Sequence, residues 1–340
     1  MKMFAGQKST QMKQLVRWLD IIPLAQRWKS DPDSWREYTY QDGAFNRLVV
    51  TDLAESWDDF FGWSEELGGW GFRGQREGAW TLQSCLERDA AHGGIRAEYF
   101  YGRCSGVGYP DRRAIENILL SKFQPLAARY LNNLPGPADI AGWLSLMQHY
   151  GGPTRLMDWT ECPLVGMYFA GREETRNPCA LWAVDLHWLE QKTKEFLGHL
   201  LSPCGEARLA YLNALLAEGE TPLVVRIDPH HRNERVAVQK GFFLWKTFDK
   251  TPLFDQMLMD MMLNPGIVTS PVIRKLLVGP NLRERFLEEL MRKGIREEQL
   301  FPGKDFCEPL KLELQSTVQR FRTEREEEIK AAEEAIAVSG

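Results

Sequence analysis

Two stretches of the chain hold more polar chemistry than a core or a turn requires. The first is Phe72-Arg-Gly-Gln75, in which Arg73 interrupts an aromatic, strand-like run beside Gly74, a residue that permits close backbone approach. An arginine in that setting either snorkels to solvent or holds an anion, and its planar fork of donors suits a phosphate. The second stretch runs from Gln148 to Thr160 and gathers Gln148, His149, Tyr150, Thr154, Arg155, Asp158, Trp159 and Thr160 around a Gly151-Gly152-Pro153 break. Asp158 and Thr160 are also good helix-capping residues, so capping accounts for part of this cluster. Capping does not need Gln148, His149, Arg155 and Asp158 together, which points to ligand binding or catalysis.

Other chemistries have no sequence support. There is no G-x-x-x-x-G-K-[ST], no H-E-x-x-H, no G-x-S-x-G and no G-x-G-x-x-G after a strand. The adjacent pair His230-His231 lacks the i, i+4 spacing of helical metal ligands, and the cysteines form no C-x-x-C pair. No metal is expected, and widely spaced thiols fit a reducing cytoplasm rather than a disulfide framework.

The elements that must position these residues follow from periodicity. A strand is expected from Leu48, then a helix through Trp57 and Phe61, then a half-buried strand at Trp70–Gln75. Ile115, Leu119, Phe123, Leu126 and Tyr130 form one stripe of a helix over 112–131, and a second helix, 138–150, follows a Pro-Gly-Pro break. Further strand-like runs lie at 179–185, 222–228, 235–239 with 242–245, and 271–278; helical sequence fills 187–218 and 281–293. Irregularly interspersed strands and helices predict an α+β fold with a mixed or antiparallel sheet and many peripheral helices.

The chain of 340 residues, 44% hydrophobic and with a formal net charge of -5, has a substantial core and no uniformly basic coat for nucleic acid. No apolar run reaches the roughly 20 residues of a membrane helix, so a soluble protein with no membrane partner is expected. The basic, amphipathic segment 1–40 either packs on its own domain or faces a partner. The tail 316–340 is acidic and reads as a solvated helix or a frayed end, with a basic partner such as an antitoxin or a chaperone as the alternative.

The strings F-R-G-Q, W-x-L, W-L-x-L-M-Q-H-Y-G-x-P-T-R-L-x-D-W-T and L-x-x-x-Y-F-A, with R-V-x-x-Q-x-G-F-F at 235–243 and later matches near 272–303, resemble the FRG-domain family. The resemblance covers most of 70–315 and implies a domain over 41–315. The same elements are similar in order to the three-part site of ADP-ribosyltransferases, which implies an ADP-ribosyltransferase-like fold and NAD as substrate. By that resemblance Arg73, with Gly74 and Gln75, binds NAD. Asp158-Trp159-Thr160 and Tyr168-Phe169-Ala170 shape the nicotinamide pocket, with Tyr150, Thr154 and Arg155 beside it, and Gln239 faces the ribose. Gln239 departs from the family pattern, because a neutral amide cannot stabilise the positive charge that develops on the ribose. Asp158 is therefore the candidate carboxylate and Glu234 the second; Trp159 or Tyr150 would stack on nicotinamide, and His149 would orient substrate or act as a base.

The expected activity is NAD-dependent mono-ADP-ribosylation of a macromolecule by a toxin or phage-defence effector, with RNA or DNA ahead of protein as acceptor. A non-catalytic nucleotide or nucleic-acid binding module and a metal-independent nuclease using His149 and Asp158 stand as alternatives.

Overall fold

The computed structural model describes residues 49–92, 112–197, 223–228, 234–246, 271–302 and 307–339. The basic segment 1–40, the pair His230-His231 and the part of the expected helical run 187–218 beyond Leu197 lie outside them. In chain order the elements are β1 (Val49–Ala54), α1 (Trp57–Glu65), β2 (Trp70–Gln75), α2 (Cys85–His92), α3 (Arg112–Tyr130), α4 (Ile140–His149), β3 (Leu156–Thr160), α5 (Pro163–Gly171), β4 (Cys179–Asp185), α6 (Leu186–Leu197), β5 (Val224–Ile227), α7 (Glu234–Val238), β6 (Gly241–Lys246), β7 (Ile273–Val278), a 3-10 turn (Pro280–Leu282), α8 (Arg283–Arg292), α9 (Glu297–Leu300) and α10 (Glu308–Ser339).

By packing, the chain divides into two compact units. The first takes residues 1–81, 159–189 and 258–300, the second 82–158, 190–257 and 301–340. Both are built from discontinuous segments, because the chain passes from one to the other at Thr81, Asp158, Leu189, Met257 and Leu300.

In the first unit β1 and β7 pair in parallel, while β7–β4, β4–β2 and the Phe72–Thr160 bridge between β2 and β3 are antiparallel. The sheet is thus mixed, as the sequence suggested. β4 is buried from Cys179 to Val184, which explains its unbroken apolar run. Helix α1 starts at Ser56, whose hydroxyl caps the Asp59 N–H. It buries Trp57 and Phe60 against Phe286 of α8, and Trp63 against Phe72. Asp52 of β1 ties this layer down by accepting from the Trp63 indole at 2.7 Å and from Arg274 of β7 at 2.8 Å.

The second unit sets the antiparallel pair β5–β6 with α2, α3, α4 and α10. Phe123 of α3 meets Trp143 of α4 edge to face, and α10 packs on α3 with Leu310, Leu314, Val318 and Phe321 buried. Helix α10 runs unbroken through position 316, where the acidic tail was expected to begin. No helix among the described residues is long and apolar enough to cross a membrane.

One expected strand is a helix. The Arg235–Gln239 run forms α7 and a turn, with the Gln239 N–H donating to the Arg235 carbonyl at 3.0 Å. Lys240, at φ 47°, reverses the chain into β6. A five-residue apolar/polar alternation fits one helical turn as well as a strand, and the reversal at Lys240 decides between them.

Candidate functional site

Arg73 lies on β2, a strand with β4 on one side and β3 on the other. Strand alternation puts Gly71, Arg73 and Gln75 on one face and Phe72 and Gly74 on the other. On the first face the register forms a row across four strands: Arg73 opposite Trp182 of β4, Trp182 opposite Lys275 of β7, and Lys275 opposite Thr51 of β1. Arg73 is half-buried and Trp182 is buried. The Trp182 indole donates to Gln75 Oε1 at 2.8 Å, and Gln75 Nε2 donates to the Thr81 carbonyl at 3.0 Å. Gln75 therefore braces the tryptophan and the loop leaving β2. Lys275 Nζ donates to the Gly78 carbonyl at 2.5 Å and sits 4.4 Å from the centre of the Trp182 ring.

Gly74 has a reason of its own. A Cβ there would stand 2.1 Å from the Gly166 carbonyl oxygen and 2.4 Å from the Ala170 nitrogen, both on α5. The close approach that the sequence suggested is that of a helix backbone. Gly166 answers it from the other side, where a Cβ would come within 2.7 Å of Leu181. The Thr160 hydroxyl accepts from the Cys162 N–H at 3.0 Å and shapes the turn into α5, whose first residue is Pro163. Trp159 is buried, and its indole N–H has no acceptor among the described residues.

The second unit holds the other candidates. Helix α4 ends where Gly151, at φ 86°, takes the left-handed conformation, and the Gly152 N–H closes onto the Met147 carbonyl at 2.9 Å. This cap is what the Gly-Gly pair provides. His149, half-buried, meets the buried Tyr150 ring edge to face at 5.0 Å. The Thr154 hydroxyl donates to Gln148 Oε1 and accepts from the Leu156 N–H at 3.2 Å.

Arg155 is buried and faces Glu116 of α3. Its Nε and Nη2 donate to Glu116 Oε2 at 2.9 and 2.7 Å, and its backbone N–H donates to Oε1 at 2.7 Å. Its guanidinium also lies 5.3 Å from the Trp245 ring centre. Such a pair fixes the start of β3.

Asp158 departs from expectation. Leu156, Met157, Trp159 and Thr160 are buried, while Asp158 is exposed, so it does not sit in the apolar pocket that its neighbour Trp159 suggested. The N-cap of α5 is Cys162. Glu234 is exposed in the first turn of α7, and Gln239 is half-buried in the turn after it.

Two perturbed groups flank the first unit's candidates. Burial pushes the Cys179 thiol up to about 11, which keeps it protonated and unreactive at neutral pH. Burial, followed by the nearby Glu297 charge, raises the Tyr168 hydroxyl.

Some of the residues that organise these elements escaped the sequence reading. Glu116 falls on the apolar face of α3, three, four and seven positions before Leu119, Leu120 and Phe123, and a carboxylate on that stripe was the available signal. Ser84 and Glu87 form a capping box: the Glu87 N–H donates to Ser84 Oγ at 3.2 Å, and the Ser84 N–H donates to Glu87 Oε2 at 2.7 Å. Glu87 also takes a buried ion pair from Lys246 of β6 at 2.7 Å.

The candidates thus divide. Arg73, Gly74, Gln75, Trp159 and Thr160 belong to the first unit; His149, Tyr150, Thr154, Arg155, Asp158, Glu234 and Gln239 belong to the second. Residues 69–178 match the FRG domain, so the match takes in the candidates from Arg73 to Thr160 and ends before Glu234 and Gln239. No curated protein and no solved structure matches the chain.

Proposed function

We propose that the protein is an NAD-dependent ADP-ribosyltransferase-like effector that modifies a macromolecule, a nucleic acid in preference to a protein. The observation that carries this reading is Arg73, a half-buried arginine on a strand flanked on both sides, at the register position opposite Trp182. A guanidinium held on a rigid strand is suited to a diphosphate, because its fork of donors meets two oxygens at once. NAD would supply the activated glycosidic bond. Arg73 would bind its diphosphate; among the second unit's candidates, Asp158 carries the negative charge that such chemistry uses and His149 an imidazole able to take a proton. The exposure of Asp158 leaves it reachable by substrate, and a bound substrate would exclude water around it.

A second reading, a nucleotide-binding module without catalysis, draws on specific observations as well. Gln239 is neutral and ends a helical turn, Arg155 is bound to Glu116, and Gln75 is bonded to Trp182 and Thr81.

Nicotinamide release from NAD by the purified protein, with and without total RNA, separates the two. We expect release, its loss together with NAD binding in Arg73→Ala, and a fall on the order of 100-fold in Asp158→Asn with NAD binding retained. NAD binding without release assigns the binding module. Absence of both removes the NAD reading, and RNA cleavage without NAD assigns the nuclease.

A further inference from the structure

Trp80 is the one aromatic residue among the exposed large hydrophobic side chains of the described residues, at 42% exposure. It stands in the loop that leaves the Arg73 strand, and the Arg76 guanidinium lies 4.9 Å from its ring centre. Arg76 also pairs with Glu173 at 2.6 Å, and Glu173 reaches Arg172 at 3.6 Å. Arg172 in turn lies over the Phe169 ring at 5.6 Å. Flat faces therefore follow one another along this surface of the first unit: tryptophan, guanidinium, carboxylate, guanidinium, phenyl.

The array is held in advance of any ligand. The loops 76–81 and 172–178 are tied by the Gly78 N–H to the Pro178 carbonyl at 2.6 Å and by Asn177 to Glu77 at 2.7 Å. Beneath them the buried Arg283 donates to the carbonyls of Thr175 and Arg76, each at 3.3 Å. Hydrogen bonding from Arg76 holds the Glu173 carboxyl below its usual range, so it stays ionised and offsets one of its two arginines.

We propose that this array is a contact surface for single-stranded nucleic acid. Stacking on an exposed indole and on guanidinium planes requires ligand faces that are flat and unpaired, which single strands offer and a duplex hides. The adjacent arginines supply the phosphate contacts, and an acidic peptide, which has no base faces, would leave Trp80 without a role. The proposal deepens the reading of a nucleic-acid acceptor by placing its contact surface, and it is tested without NAD, so either can fail while the other stands.

The experiment is fluorescence anisotropy of the full chain with short labelled RNA and DNA single strands and with a hairpin duplex of equal charge. We expect one or both single strands to bind more tightly than the duplex, with the RNA and DNA arms naming the source. Trp80→Ala should weaken binding roughly 10-fold or more, and Trp80→Phe by less. The double variant Arg76→Ala/Arg172→Ala should flatten the slope of log affinity against log salt by about 1.4. Circular dichroism checks that each variant is folded, as the exposure of Trp80 leads us to expect. Absence of single-strand binding at low salt, preference for the duplex, or an affinity unchanged in folded Trp80→Ala would overturn the proposal.

Discussion

Buried positive charge is handled differently in the two units. In the second, Arg155 and Lys246 each meet a carboxylate, Glu116 and Glu87, and all four side chains are 5% exposed or less. In the first, Lys275 is held by the Gly78 carbonyl and the face of Trp182, and Arg283 by two backbone carbonyls. A matched pair cancels its own field, and each of these locks elements together: α3 to β3, and α2 to β6. Carbonyl dipoles and a ring face hold a cation through partial charges rather than a full counter-charge. The contrast sets cations locked by carboxylates in the second unit against cations docked on carbonyls and a ring around the Arg73 strand.

The largest expected effect breaks a matched pair. Glu116→Gln leaves Arg155 buried without its counter-charge and should cost about 3 to 5 kcal/mol in urea unfolding. Replacing both partners with apolar residues, Glu116→Leu with Arg155→Met, should recover most of that loss. If the single variant is as stable as the wild type, the framework role of the pair is wrong.

Next comes Gly74→Ala. The atoms that the new methyl would meet are backbone atoms of α5 and cannot rotate away, so we expect a loss of about 3 kcal/mol, at the upper end of overpacking costs. Thermal unfolding reads it directly. An alanine tolerated without loss would mean that α5 shifts freely from β2.

The smallest effect is expected at Lys275→Met, which removes one hydrogen bond to a carbonyl and one cation–ring contact but keeps the stem packed. A cost of about 1 to 2 kcal/mol follows from those two contacts. A loss as large as that of Glu116→Gln, measured in the same denaturant series, would erase the distinction between the units.

Much of the first unit was legible in the chain. Strands such as Trp70–Gln75 and Cys179–Asp185 are bounded by glycine, proline or aspartate and carry long apolar or aromatic runs, so their ends were readable to within a residue or two. Helix α3 was equally clear from its stripe, yet the meaning of Glu116 on that stripe was not, because local spacing does not name a partner thirty-nine positions away. Arg155 illustrates the same limit at the candidate site: its position in a polar string looks like ligand binding, and only the fold brings Glu116 to it. The Gln239 segment failed for another reason, since five residues are too few to separate a period of two from one of 3.6, and the reversal at Lys240 depends on tertiary context. Asp158 was found as a residue but not as an environment, because its strand neighbours Met157 and Trp159 point to the opposite side.

Helix α10 has a practical consequence for handling the protein. Its 32 residues extend about 48 Å at the usual rise, and none of its described residues beyond Phe321 is buried. The described side chains at Glu324, Glu326, Glu327, Lys330 and Glu334 are exposed, so a fluorophore or an affinity handle attached at one of them would face solvent.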